Sequence, residues 1–411
     1  MNNLMLMVPM LHQGGFERVC VATGRLLSKY YNVTILIFSD KDINYDVTGL
    51  NVVNINVPST SKFGKLGKVF NVLRRAFKVS SQKRKLGIDI CYSFGSSANY
   101  VNTLSKFGNR AKVLTGIRCS TDMENKKEVG LFCNRADQVL SCSKEIMRQL
   151  KAEYNYERSS YIYNPLDTET IRKQAEDDKN YREATDLFGN GRIAVLDEDR
   201  SYPVLISVGR QDYIKGFWHL IKAFSLVLKE YPKARLMIVG TGDFSKFRKL
   251  AEDLGIAENV YFPGLQKNPF SFVNNADMYV LSSNHEGFPN AILEAMALGK
   301  PCVAADCKTG PREILLNDKE YQSLIDKKPD GSSTEEIIEG EFGIIVPDMS
   351  QEMNFDASVI EDREVLLAEG IMRMLIDKEK MAAYGKKAYE RALTYNPDSY
   401  ADELHEILKR V

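Results

Sequence analysis

The chain is poor in histidine, with four in 411 residues. No Cys/His/Asp group stands at metal-ligand spacing, so no metal centre is expected. Acid–base chemistry that leans on imidazole is disfavoured for the same reason. The seven cysteines are scattered, with no C-x-x-C pair and no disulfide-like spacing. They read as small buried apolar residues in a reducing cytoplasm. Net charge is absent too: 55 Lys and Arg face 55 Asp and Glu. A nucleic-acid partner, which needs a basic excess, is not expected. No apolar run reaches bilayer length. Met1 to Met10 lacks a basic leader and a small-residue cleavage site, so it is expected to be a first strand rather than a signal peptide. No G-x-G-x-x-G follows that strand, which disfavours a dinucleotide dehydrogenase. Internal repeats and low-complexity tracts are missing as well. The length leaves room for two packed cores.

What is present centres on residues 277–316. A short apolar run, Met278 to Leu281, predicts a buried strand. The polar turn Ser282 to Gly287 follows, then a helix over Pro289 to Leu298 with Gly299 just past its end. Pro301 to Ala305 predicts the next strand. Two carboxylates, Glu286 and Glu294, lie on this loop-to-helix path, and a helix N-terminus there suits a phosphate. Pro203 to Val208 predicts a strand that leads into Gly209-Arg210-Gln211-Asp212-Tyr213-Ile214-Lys215-Gly216. A guanidinium and an ammonium at a strand end can neutralise a diphosphate, Arg210 as a fork and Lys215 as a point charge. Further glycine turns are Gly14-Gly15 after the first strand and Gly240-Thr241-Gly242 after Arg235 to Val239.

The run H-E-G-F-P-N-A-I-L-E-A-M-A-L-G-K-P, with Glu286-x7-Glu294 inside it, resembles the E-x7-E signature of family 4 retaining glycosyltransferases. The resemblance implies an α/β chain of GT-B architecture, two Rossmann-like β/α/β domains facing across a cleft. The expected domains are 1–166 on the acceptor side, with helix 398–411 packing back on it, and 202–394 for the nucleotide sugar. The expected activity is transfer of a sugar from a nucleotide-diphosphate donor, UDP-linked, to a glycan or polyprenyl-diphosphate-linked acceptor in bacterial surface-polysaccharide synthesis. Alternatives are a nucleotide-sugar epimerase of the same fold and a non-catalytic sugar-nucleotide-binding subunit. By resemblance Glu286 holds the donor sugar, Glu294 the ribose, and Arg210 with Lys215 the pyrophosphate. Gly14, Gly15, Gly240, Gly287, Phe288, Pro289 and Asn290 join the donor site, and the backbone near Leu265 meets the base. Arg118 stands where many members carry histidine and is a candidate for acceptor or phosphate contact. Growing charge on the diphosphate is met by cations, so no cofactor and no metal is expected.

Residues 62–85 hold nine Lys or Arg and no Asp or Glu. Leu66, Val69, Phe70, Leu73 and Phe77 fall at helical spacing. The pattern predicts a basic amphipathic helix, either packed with a solvated basic face or lying on an anionic membrane. The expected location is the cytoplasm, with peripheral contact at the inner face of the cell membrane. Asp40-x-Asp42 reads as solvated loop charge. Residues 318–341 read as a polar insertion without catalytic content.

Overall fold

The structure is a computed structural model that describes residues 1–12, 14–40, 43–57, 64–177, 179, 181 and 202–411. Asp42 and Lys62 fall outside these residues. Two compact units divide the chain: residues 1–165 with 397–411, and residues 166–396.

The first unit is built on seven strands: β1 (Asn3–Val8), β2 (Asn32–Ile37), β3 (Asn51–Asn54), β4 (Ile90–Phe94), β5 (Lys112–Ile117), β6 (Gln138–Ser141) and β7 (Ser159–Tyr161). Their order in the sheet is β3-β2-β1-β4-β5-β6-β7, all parallel. Leu4 to Val8 are fully buried, as a strand covered on both faces must be. The order turns back between β1 and β4, and the chain's Gly14-Gly15 loop leaves the end of β1 there. The Pro397–Lys409 helix packs on the Gly15–Leu27 helix. Tyr400, Leu404 and Leu408 enter the core, and the Tyr400 hydroxyl meets Thr23 Oγ1 at 2.7 Å. His405 stacks on Tyr30 with ring centres 4.0 Å apart.

The second unit repeats the plan with β8 (Val204–Val208), β9 (Arg235–Val239), β10 (Val260–Gly264), β11 (Met278–Leu281), β12 (Cys302–Ala305), β13 (Ile338–Glu339) and β14 (Ile344–Val346). The order is β10-β9-β8-β11-β12-β14-β13, with only β13 antiparallel. Here the order turns back between β8 and β11, which pair at Met278–Leu205. Its core holds Trp218, Phe217, Phe224 and Phe247 from two helices on one face.

The Thr168–Ala175 helix packs on the Pro269–Asn274 helix, and Asn268 Nδ2 donates to Gln174 O at 2.6 Å. Residues 182–201 lie outside the described set. The last strand of the first sheet, Ser159–Tyr161, is placed by its pairing with Val139 to Ser141. The 318–341 stretch is integral: a helix, Asp318–Lys327, starts on an Asn317/Glu320 capping box, and β13 closes the sheet edge.

Candidate active site

In parallel sheets, ligands bind beyond the carboxyl ends of strands at the point where the order reverses. In the second unit that point lies between the loops after β8 and β11. The β8 loop carries Arg210 and Lys215, and the β11 loop carries Glu286.

These two loops are stitched together. Asn284 N–H donates to Ile214 O at 2.7 Å, and Asn284 Nδ2 to Tyr213 O at 3.2 Å. Ser282 Oγ donates to Lys215 O at 3.1 Å. The approach is close enough to demand glycine at 216. Its φ is +56°, and a Cβ there would sit 2.2 Å from Ser282 O. Lys215 then lays its stem over Gly209, where a Cβ would come within 3.1 Å of Cε.

The consequence is an ion pair: Lys215 Nζ donates to Glu286 Oε1 at 2.6 Å, with the side chains 20% and 10% exposed. Ser283 Oγ donates to the same oxygen at 2.7 Å. Burial pulls the Lys215 ammonium down, but the Glu286 carboxylate outweighs it, so the net shift is upward. Lys215 is therefore a firm positive charge. Thr309 Oγ1 bonds the Glu286 carbonyl from the following loop, and Gly310, at φ +91°, packs under Pro289 and Gly287.

The other expected donor residues lie on these and neighbouring loops and on the helix that follows. Glu294 is buried at 8% exposure on the Asn290–Ala297 helix, with Pro289 as its cap residue. Phe288 is buried edge-on against Tyr395, 5.6 Å between centres. Asn290 is half-buried. Gly240, after β9, donates its N–H to Gly264 O at 3.0 Å, and a Cβ on it would lie 1.7 Å from Gly209 O. Glycines 209 and 240 thus let the β8 and β9 loops touch. Leu265, directly after β10, is exposed. Arg210 is exposed and pairs with Asp212 at 3.2 Å.

In the first unit, Gly14 is gripped by one hydroxyl: Tyr45 accepts from its N–H at 2.9 Å and donates to its carbonyl at 2.6 Å. Gly15 begins the helix that follows. Arg118 turns inward, its Nη2 donating to Asn164 Oδ1 at 2.5 Å and its guanidinium 5.5 Å from the Phe94 ring centre.

Sequence reasoning missed Asp348, which follows β14 at the same strand ends. Burial lifts its carboxyl to about 7, and the Asp306 charge adds to this against the Met349 N–H, Lys308 and Arg312. Cys307 beside it is a neutral thiol, pushed up by burial and by Glu286, Asp348 and Asp306. An acid whose folded value lies above its ordinary 3.8 favours folding at low pH, and that contribution is lost as pH rises to about 7. Asp348→Asn is therefore expected to gain stability over the parent as pH goes from 4 to 8. Urea midpoints read by the single tryptophan, Trp218, check this. A constant difference across that range would show that Asp348 does not titrate there.

The comparisons bear on this geometry. Residues 193–340 match the family model described as glycosyl transferases group 1. An uncharacterised glycosyltransferase of Methanocaldococcus jannaschii is 28% identical over 356 residues, 81% of this chain and 82% of the relative. The N-acetylgalactosamine-N,N'-diacetylbacillosaminyl-diphospho-undecaprenol 4-alpha-N-acetylgalactosaminyltransferase of Campylobacter jejuni is 25% identical over 411 residues, 96% of each chain. Among solved structures, Anabaena HepE in complex with UDP and glucose superposes with a TM-score of 0.72 over all of both chains, at 16% identity. That likeness gives the fold, GT-B, with its two parallel-sheet α/β units. The relatives named for surface-polysaccharide synthesis, together with the match of residues 193–340 to the group 1 glycosyltransferase model, give the chemistry: the chain is similar to these glycosyltransferases and is a transferase enzyme.

Proposed function

We propose that this enzyme moves a sugar from a UDP-sugar to a lipid-linked glycan at the inner face of the cell membrane, with retention of anomeric configuration and without a metal. The observation that carries the reading is the Lys215–Glu286 pair at the strand-order reversal of the second unit. Two relatives lend the substrates: HepE was solved with UDP, and the Campylobacter enzyme is named for a diphospho-undecaprenol acceptor.

In this reading the donor diphosphate takes Lys215 and Arg210 as counter-charges. Glu286, released from Lys215, accepts hydrogen bonds from sugar hydroxyls, and Glu294 accepts them from the ribose, since a carboxylate offers two acceptor oxygens. Gly240 and the backbone at Leu265 leave room for phosphate and base. As the anomeric C–O bond breaks, its electron pair goes to the diphosphate oxygen, where the cations stabilise the new charge. The acceptor hydroxyl attacks from the same face and gives its proton to that leaving oxygen, so UDP departs and no protein base is needed. Arg118 serves the acceptor side, held by Asn164.

With purified enzyme and a lipid-diphosphate acceptor, UDP-sugars are expected to be consumed, GDP- and ADP-sugars left, and the rate to be unchanged by EDTA. The product's anomeric coupling in proton NMR should match the donor's. Consumption of a GDP-sugar, loss of rate in EDTA or an inverted product would each refute that part of the reading.

A further inference from the structure

The Gly64–Lys85 helix turns a cluster of apolar residues outward. Three of its cations hold it to the unit. Arg75 Nε donates to Val57 O at 3.0 Å, with its guanidinium 4.7 Å from the Phe38 ring centre. Lys78 Nζ donates to Ile55 O at 2.6 Å. Lys83 is 1% exposed and donates to Asn102 Oδ1 at 2.7 Å and Ser105 Oγ at 2.8 Å. These acceptors lie in the loop after β3 and in and just past the Ser96–Leu104 helix, where side-chain cations satisfy oxygens that water would otherwise reach. Ala76 and Val79 face the core, whereas Val69, Phe70, Leu73 and Phe77 point out and are 58–66% exposed. At about 100° per residue they share one arc of roughly 100°. Arg74, Arg84 and Lys85, exposed, extend that arc. Beside its C-terminal end, exposed Phe107 and Arg110 sit on a loop bound to Ser80.

We infer that this outward face docks on an anionic lipid bilayer, with Phe70, Leu73 and Phe77 entering the acyl boundary and Arg74, Arg84 and Lys85 meeting the headgroups. The inference names the docking element of the membrane-facing enzyme proposed above and rests on that reading. Charge complementarity selects the occupant. The stretch 62–85 carries no carboxylate, so the face repels a basic partner and attracts anionic phosphates. Exposed aromatic and aliphatic residues flanked by cations match an interfacial helix lying flat on lipid. These side chains are more than half exposed, so their replacement is expected to leave the fold intact.

The test uses the full chain and vesicles of phosphatidylglycerol with phosphatidylcholine, and of phosphatidylcholine alone. The parent is expected to co-sediment with the anionic vesicles. The triple variant Phe70→Ser, Leu73→Ser, Phe77→Ser should lose at least about tenfold in bound-to-free ratio. Arg84→Glu with Lys85→Glu should lose the preference for anionic lipid. Both variants should keep the parent's Trp218 emission and its transfer rate on a short water-soluble acceptor. Failure of the parent to sediment, equal sedimentation of the triple variant, or a parent dimer that the triple variant turns into monomer would overturn the inference, the last in favour of a second copy as occupant. Absence of transfer to any acceptor would refute the proposed function and leave the sedimentation result to judge the docking face separately.

Discussion

Lys215→Ala is expected to lower kcat about 10²- to 10³-fold and to weaken UDP binding, with Trp218 emission unchanged. The magnitude follows from removing one preorganised positive group aimed at developing charge in a shielded site. The binding effect follows because the same ammonium meets the diphosphate before and after bond cleavage. Lys215→Arg should restore only part of the rate, since a planar fork cannot occupy the point position above Gly209 that the lysine stem takes. Glu286→Gln separates the two roles. It removes the carboxylate that pairs with Lys215 at 2.6 Å. Transfer should fall by about 10²-fold or more, because the sugar loses a charged acceptor, while UDP alone should bind as well as to the parent or better, because Lys215 no longer has a competing partner. Calorimetric titration with UDP and a steady-state assay measure these independently. Full transfer by Lys215→Ala, or UDP binding lost in Glu286→Gln, would remove the pair from the donor site.

Much of the second unit could be read in the sequence, and the reasons are local. Met278 to Leu281 is an uninterrupted apolar run, which a strand buried on both faces requires. The 290–297 helix announced itself by Pro289 at one end and Gly299 at the other. The glutamate spacing pointed to a donor site. What the sequence did not disclose is that Lys215 reaches Glu286. They are 71 residues apart, and only the order β8 beside β11 brings their loops together. Gly216 carried a trace of this contact, but a glycine after lysine states no partner.

The 62–85 stretch marks a different limit. Helical period shows that a face exists, not which way it turns. Burying the large apolar residues is the usual outcome, and here Ala76 and Val79 share the inward side with three cations that find carbonyl and hydroxyl oxygens on neighbouring segments, while Phe70, Leu73 and Phe77 face out. Those acceptors belong to residues 55, 57, 102 and 105, so the outcome depends on tertiary placement. β3 was missed because Asn51 to Asn54 is short and only partly buried. Within 318–341, read as a polar insertion, a helix went unread on a signal that was present: Asn317 followed three residues later by Glu320 is a helix start.

That same segment is tied down by a fully buried, two-point ion pair of the second unit, and breaking it should be costly. Arg312 Nε and Nη2 donate to the two Asp306 oxygens at 2.7 and 2.8 Å, with both side chains fully buried. Arg312 also donates to Ser332 O, and Asp306 accepts the Thr334 N–H at 2.8 Å, so the pair joins β12, the helix after it and the 328–341 stretch. Arg312→Met is expected to cost about 3–5 kcal/mol, because Asp306 stays buried without its counter-ion. The loss should shrink as pH falls, since a buried carboxylate left alone takes up a proton rather than remain charged. Arg312→Met with Asp306→Leu should recover most of the stability, because a buried pair replaced by apolar residues of similar bulk loses the attraction and the desolvation cost together. Trp218 lies in the core of this unit and is the chain's single tryptophan, so its emission follows the transition of the second unit without a tryptophan signal from the first. Urea midpoints at pH 5 and pH 8 decide the matter. A single variant as stable as the parent at pH 8 would mean that Asp306 finds another partner or water. A double variant no better than the single would mean that the hydrogen bonds to Ser332 and Thr334, rather than the charge, hold the segment in place.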